Sequence, residues 1–274
     1  MRAHPAGPRH GDVSHPVGAP PQPHSTEASL ELDRQIWPQT AFRAAESGSI
    51  VLGGCDVRDL VTQYGSPVLA MDEADVRARM SGYREAFDDP ASPAHVYYAG
   101  KAFLSTRFAR WVGEEGLRID VCSAGELACA LRAGICGEQL LMHGNNKSMD
   151  DLEAALSAGV GYIVLDSFEE IARLGFLAER DGVRPRVLIR VTLGVEAHTH
   201  EFIATAHEDQ KFGFSLATGD AAEAIRRVLA LQDRLELAGL HSHIGSQIFV
   251  SSGFEVAAAR IVGLLADVRD EHGV

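Results

Sequence analysis

Val96-Tyr97-Tyr98-Ala99-Gly100-Lys101-Ala102-Phe103 opens a series of apolar runs that each end in polar residues. His95 to Ala99 is short, β-branched and aromatic, which predicts a buried strand. Lys101 follows at its C-terminal end, and Ser105 is placed to cap a helix through Thr106, Phe108 and Trp111. The chain has three lysines, Lys101, Lys147 and Lys211, among 25 Lys and Arg residues. Where arginine is the default cation, a lysine at a strand end has two readings. It is an ordinary solvated side chain, or it is an amine that loses its proton and forms a Schiff base, which a guanidinium cannot do.

The same unit recurs toward the C-terminus. Strands are predicted at Arg118–Val121, Gln139–Met142, Tyr162–Leu165, Arg186–Val191 and Leu235–Ser242. The helices between and after them are predicted at Ser105–Glu115, Ala124–Ala133, Ser148–Ala158, Ser167–Arg180, Gly219–Leu231 and Phe254–His272. Six βα units in succession mean a parallel sheet with crossover helices. Short strands in steady rotation favour a TIM-type (β/α)8 barrel over a doubly wound sheet, and no GxGxxG or Walker loop follows the first strand. A closed barrel takes eight units, so the expectation is a barrel truncated after about six, in a fragment of a longer protein.

Toward the N-terminus the pattern changes. Residues 1–28 are rich in Pro, His and Gly without periodicity and read as a disordered tail. Ser49 to Gly54 reads as a strand and turn, Val57 to Tyr64 as a short helix, and Pro67 to Met71 as another strand. Asp72 or Glu73 then opens an amphipathic helix through Val76, Met80, Tyr83 and Phe87.

Net charge of −13 argues against non-specific binding to nucleic acid or to an anionic membrane. No apolar run approaches the roughly 20 residues needed to span a bilayer, and no secretory h-region opens the chain, so the reading is cytoplasmic. Cys55, Cys122, Cys129 and Cys136 lack CxxC spacing and read as reduced thiols, most of them buried.

In such barrels the chemistry lies at the C-terminal ends of the strands. Those ends carry Lys101, Asp120-Val121-Cys122-Ser123 with Glu126, His143-Gly144-Asn145-Asn146-Lys147, Asp166-Ser167, Arg190, and His241-Ser242-His243-Ile244-Gly245-Ser246-Gln247. Taken singly, Asp120 and Asp166 read better as helix caps, and His143 and Asn145 read equally as ordinary loop residues. His198-x-His200 with His207 has metal-like spacing, but no open carboxylate-and-histidine constellation accompanies it, so no metal is assigned. His241-x-His243 alternates on a strand, which would send one ring inward and the other outward. Gly245-Ser246 offers amides and a hydroxyl suited to a phosphate. A reactive lysine, an imidazole to cover an aromatic ring, a carboxylate and a phosphate cradle are the needs of pyridoxal 5'-phosphate.

Tyr98-Ala99-Gly100-Lys101-Ala102 resembles the YAxKA lysine motif of the fold-type III PLP-dependent decarboxylases. Gly239-Leu240-His241-Ser242-His243-Ile244-Gly245-Ser246-Gln247 is similar to their second motif, in the form typical of members acting on diaminopimelate. Asp120 to Glu126, Gly194 to His200 and Lys211-Phe212-Gly213 also look like that family. The resemblance implies that Lys101 carries the cofactor as a Schiff base, His243 stacks on its ring and Ser246 helps hold its phosphate. Arg190 and Asp120 would lie near the cofactor, with His200, Lys211 and Glu126 in the surrounding shell. It further implies removal of the α-carboxylate of meso-diaminopimelate to give L-lysine and CO₂, by a homodimer acting on a small amino acid.

On this reading residues 29–70 contribute to a β domain otherwise absent, and residues 71–274 form an incomplete PLP-binding barrel with little turnover alone. The family's glycine-rich phosphate loop, its glutamate on the pyridine nitrogen, its substrate arginine and its catalytic cysteine have no counterparts in this sequence. Three alternatives stay open. These are ornithine or arginine decarboxylation within the same family, alanine racemization on a similar barrel, and a non-catalytic chain that binds PLP or a full-length copy.

Overall fold

The structure is a computed structural model and describes residues 32–33, 37–195, 212–245 and 251–273. Two compact units divide the chain. The first comprises the described residues up to Val96 together with Glu114–Leu117. It holds an antiparallel sheet of β1 (Phe42–Arg43), β2 (Ile50–Leu52) and β3 (Cys55–Asp56), with Val51 opposite both Phe42 and Asp56. Helix α1 (Val57–Tyr64) starts on Asp56, whose carboxylate accepts from the Arg58 N–H, and stops at Gly65 with φ +84°. Helix α2 (Glu73–Ala86) starts on Asp72, which accepts from the N–H groups of Ala74 and Asp75.

One expected element is not formed. Pro67–Met71 is irregular, and Leu69 is 83% exposed. A strand needs a neighbouring backbone to take its N–H and C=O groups, and none among the described residues pairs with this run.

The second unit comprises Tyr97–Gly113 and the described residues from Arg118 onward. Its strands are β4 (Tyr97–Ala99), β5 (Arg118–Val121), β6 (Leu140–Met142), β7 (Tyr162–Leu165), β8 (Arg186–Thr192), β9 (Phe214–Ser215) and β10 (Glu236–His241). Six of them form a parallel sheet in the order β4-β5-β6-β7-β8-β10, and β9 adds a two-residue parallel pairing to β8. Tyr97 pairs with Arg118, Ile119 with Leu140, Leu141 with Tyr162, and Ile163 with Val187, which in turn faces Leu237. Spatial order follows chain order with no reversal, the rotation of a barrel wall rather than the switch point of a doubly wound sheet.

Helices α3 (Thr106–Glu114), α4 (Ala124–Arg132), α5 (Met149–Ala158), α6 (Phe168–Asp181), α7 (Asp220–Ala230) and α8 (Ser252–His272) follow β4, β5, β6, β7, β9 and β10 in turn. Strand residues Ile119, Leu140, Met142, Ile163, Leu165 and Ile189 are fully buried, as are Leu127, Leu152, Leu174, Leu177 and Ile225 on the helices. This is the two-sided burial of a parallel sheet. No helix among the described residues is long and apolar enough to cross a membrane. The four thiols are free, but Cys55 and Cys136 are exposed and Cys122 and Cys129 half-buried, so the expectation of mostly buried cysteines is corrected. Each sits at an element edge or on an outward helix position, where a small side chain is tolerated without being enclosed.

Candidate active site

Because the strands are parallel and in sequence order, all their C-terminal ends open on the same edge of the sheet. β4 leads into a single 3₁₀ turn, Gly100–Ala102, that carries Lys101. The Tyr98 hydroxyl donates to the Phe103 carbonyl at 2.8 Å and ties the turn down. Gly100 is required by close approach: a Cβ there would lie 2.8 Å from the Asp120 carbonyl oxygen. Lys101 is thereby set beside the end of β5. With Cys122, His143, Arg190, Phe212 and His243 it lines a cavity of about 370 Å³, within the size range of small-molecule sites.

Asp120 does not cap a helix. Ser123 caps α4, its hydroxyl accepting from the Glu126 N–H at 3.2 Å, and Glu126 Oε2 in turn accepts from the Cys122 N–H at 2.7 Å. The carboxylate of Asp120 is left for the site. Its Oδ2 lies 3.5 Å from His143 Nδ1, and its Oδ1 is buried with no hydrogen-bond partner among the described residues. The Cys122 thiol is pushed up to about 11, first by burial and then by the charges of Asp120 and Glu126. It stays protonated near neutral pH. The donor atoms of Asp120, Cys122 and His143 lie within 4.8 Å of one another.

The alternation expected of His241 and His243 ends early, because β10 stops at His241. The His241 ring packs edge-on against His143 at 4.7 Å between centroids, and its pKa is driven well below the ordinary value by burial. His243 follows in the loop and reaches the cavity. Burial, with Lys101 and Arg190 adding to it, lowers its pKa to about 4. At neutral pH it is an uncharged ring.

Arg190 is buried on β8 and donates from Nη1 to Asp166 Oδ1 at 2.8 Å, with Phe212 4.9 Å from its guanidinium. Asp166 was open to a capping role, yet Ser167 caps α6 and Asp166 serves Arg190 instead. Its Oδ2 accepts from the Gly213 N–H at 3.0 Å. Gly213 has φ +73°, and a Cβ on it would stand 2.9 Å from the Arg190 carbonyl. Lys147 is fully buried: its Nζ donates to the carbonyls of Gly144 and Val164 at 2.6 and 2.7 Å and pairs with Glu170 at 2.7 Å.

Of the residues named from sequence, Lys101, Arg190 and His243 thus share one cavity, Asp120 stands behind His143, and Glu126 holds the backbone at Cys122. Ser246, His200 and Lys211, with the His198 and His207 pair, lie outside the described residues, as does the 1–28 tail. The site also contains His143, Lys147 and Asp166, whose polar character at strand exits is visible in the sequence although their partners are not, and Glu170, which sits within α6 and carries no such signal.

Residues 73–274 match the family described as pyridoxal-dependent decarboxylase, pyridoxal binding domain. The chain belongs to this family. Among pyridoxal-dependent decarboxylases, it is 51% identical over 271 residues to diaminopimelate decarboxylase of Mycobacterium leprae, covering 99% of this chain and 56% of that protein. The Bacillus subtilis diaminopimelate decarboxylase is 44% identical over 230 residues, 84% of this chain and 52% of its own length. The crystal structure of the M. jannaschi diaminopimelate decarboxylase superposes with a TM-score of 0.78 at 26% identity, covering 86% of this chain and 55% of that one. The Helicobacter pylori enzyme complexed with L-lysine superposes at 0.67 and 26%, covering 78% and 54%. The chain therefore spans about half the length of the curated relatives it matches.

The residues present fit the family's cofactor. Lys101 is an amine at the edge of a cavity, His243 is an uncharged ring on its wall, and Arg190 is a cation held there by a buried carboxylate. Asp120 Oδ1 is a buried acceptor without a donor among the described residues.

Proposed function

We propose that this chain is the pyridoxal-binding domain of a diaminopimelate decarboxylase, which removes one carboxylate of meso-diaminopimelate as CO₂ and yields L-lysine. The observation that carries the reading is 51% identity over almost the whole chain to a diaminopimelate decarboxylase, with Lys101 on the cavity wall. Bound pyridoxal phosphate supplies an electron sink for the pair left when the carboxylate departs.

The chain's own residues then have defined tasks. Lys101 is the amine that holds the cofactor's aldehyde carbon, a role closed to the surrounding arginines. His243, neutral down to about pH 4, would lie against an aromatic ring without bringing a charge of its own. Arg190 attracts anionic groups of the cofactor or substrate. Asp120, through Oδ1, takes a hydrogen bond from a donor entering the site. Glu126 keeps the backbone between Asp120 and Cys122 in place. Ser246 is assigned to the phosphate, and His200 and Lys211 to the surroundings of the site, on the motifs that carry them. The reading includes a homodimer, as the resemblance implies, and a cytoplasmic location, as the reduced thiols suggest; a mass measurement in solution checks the dimer.

The test is reductive trapping. The protein is incubated with pyridoxal phosphate and reduced with borohydride, and the pyridoxyl-lysine is located by peptide mass spectrometry. With three lysines in the chain, label concentrated on Lys101 is the expected result. Label on Lys147 or Lys211, or spread evenly, overturns the assignment. Substrate choice is read from the cofactor's absorbance when meso-diaminopimelate, ornithine or arginine is added. A response to ornithine or arginine and none to diaminopimelate overturns the proposed substrate.

A further inference from the structure

Asp166 and its neighbours form a chain of buried charges that the roles above leave unexplained. Arg190 and Asp166 are 7% and 2% exposed in their side chains, and Lys147 and Glu170 are 0% and 5%. Two ion pairs are thus sealed side by side under three strand exits. They are linked by one hydrogen bond, from the Asp166 N–H to Glu170 Oε2 at 2.8 Å. Removing four charges from water is costly, and such pairs often stabilise no more than apolar side chains of the same volume. What they supply is a unique geometry. Asp166 has no freedom left: Oδ1 holds Arg190, Oδ2 holds the Gly213 N–H, and its own N–H is held by Glu170. Glu170 is fixed in turn by Lys147, which also clasps the Gly144 carbonyl in the loop carrying His143. A guanidinium has five N–H donors in one plane, and anchoring one of them at Asp166 orients that plane at the cavity wall.

We infer that Asp166 is a positioning residue which, braced by the Lys147–Glu170 pair, sets the Arg190 guanidinium for an anionic group of the cofactor. The inference rests on the proposed function for the identity of the ligand, but the placement of Arg190 is testable without it.

The experiment is a double-mutant cycle with pyridoxal phosphate as probe and cofactor absorbance as readout. Asp166→Asn is expected to weaken cofactor affinity roughly tenfold, and to cost less than about twofold when added to Arg190→Gln. An equal loss in both backgrounds overturns the inference, because Asp166 would then act on the cofactor by some route other than Arg190. A second arm needs no cofactor. Phenylglyoxal modification of each arginine is followed by peptide mass spectrometry, with the exposed Arg186 as internal reference. Asp166→Asn is expected to speed modification of Arg190 severalfold relative to Arg186, and an unchanged ratio overturns the inference. Should Asp166→Asn fail to fold, Asp166→Asn/Arg190→Gln, which leaves neither charge unpaired, is compared with Arg190→Gln alone; a further loss of affinity in the double variant overturns the inference. If wild-type protein forms no Lys101 adduct, the proposed function falls while the arginine-labelling arm still decides the role of Asp166.

Discussion

Replacing Lys147 with methionine isolates the energetics of the buried charge network. The substitution roughly conserves volume and removes one cation whose side chain is 0% exposed and whose Nζ lies 2.7 Å from Glu170 Oε1. Two carbonyls, of Gly144 and Val164, lose their donor at the same time. Breaking a buried pair by deleting one partner costs about 3–5 kcal/mol, because the other charge stays behind without compensation. For a domain of this size that is a fall in Tm on the order of 10 °C. The double variant Lys147→Met/Glu170→Leu removes both charges and is expected to recover part of the loss, the remainder reflecting the Gly144 and Val164 carbonyls and the Asp166 N–H left without partners.

The pH dependence follows from Glu170, whose pKa burial already raises above the ordinary carboxylate value while Lys147 opposes the shift. Without Lys147 the shift grows. Between the unfolded carboxyl value and the raised folded one, the native state binds more protons than the unfolded state, so stability falls as pH rises through that window. The deficit of the single variant is therefore smaller at pH 5.5 than at pH 8. Urea denaturation of wild type and both variants at the two pH values measures it. A single variant as stable as wild type, or a double variant worse than the single, would refute the reasoning.

Two further outcomes follow from the site. Gly100→Ala puts a methyl group 2.8 Å from the Asp120 carbonyl, which forces the turn carrying Lys101 away from β5. Borohydride trapping at Lys101 should fall severalfold with the circular dichroism spectrum unchanged, and trapping at the wild-type level would show that the contact is easily relieved. His243 has its pKa lowered to about 4, so between that value and the ordinary histidine value the unfolded chain takes up a proton that the native state refuses. Its contribution is complete above about pH 6.5 and is lost as the pH falls toward 4. His243→Leu should accordingly flatten the decline of Tm over that range, and an identical decline in both proteins would argue that the ring is not buried as described.

Some of this protein could be read from its sequence alone. Strands such as Arg118–Val121 and Tyr162–Leu165 fall where the apolar runs place them, because such a run bounded by Gly, Asp and Ser is a local signal. Ser123, Ser148 and Ser167 cap the helices that follow them, since a cap bonds to N–H groups within one turn. Lys101 and the histidine motif were legible as chemistry because residue type limits what a side chain can do. The apolar run Pro67–Met71 misled, because a strand is defined by its partner and not by its own composition. The pairings inside the site were decided only by tertiary structure. Asp166 and Arg190 are 24 residues apart, and Asp166 and Gly213 are 47 apart. No local rule links residues so far apart, and from the sequence a helix cap is the better reading of Asp166. Parallel register across β7 and β8 brings the two strand ends together, and burial at that junction holds the two charges against each other.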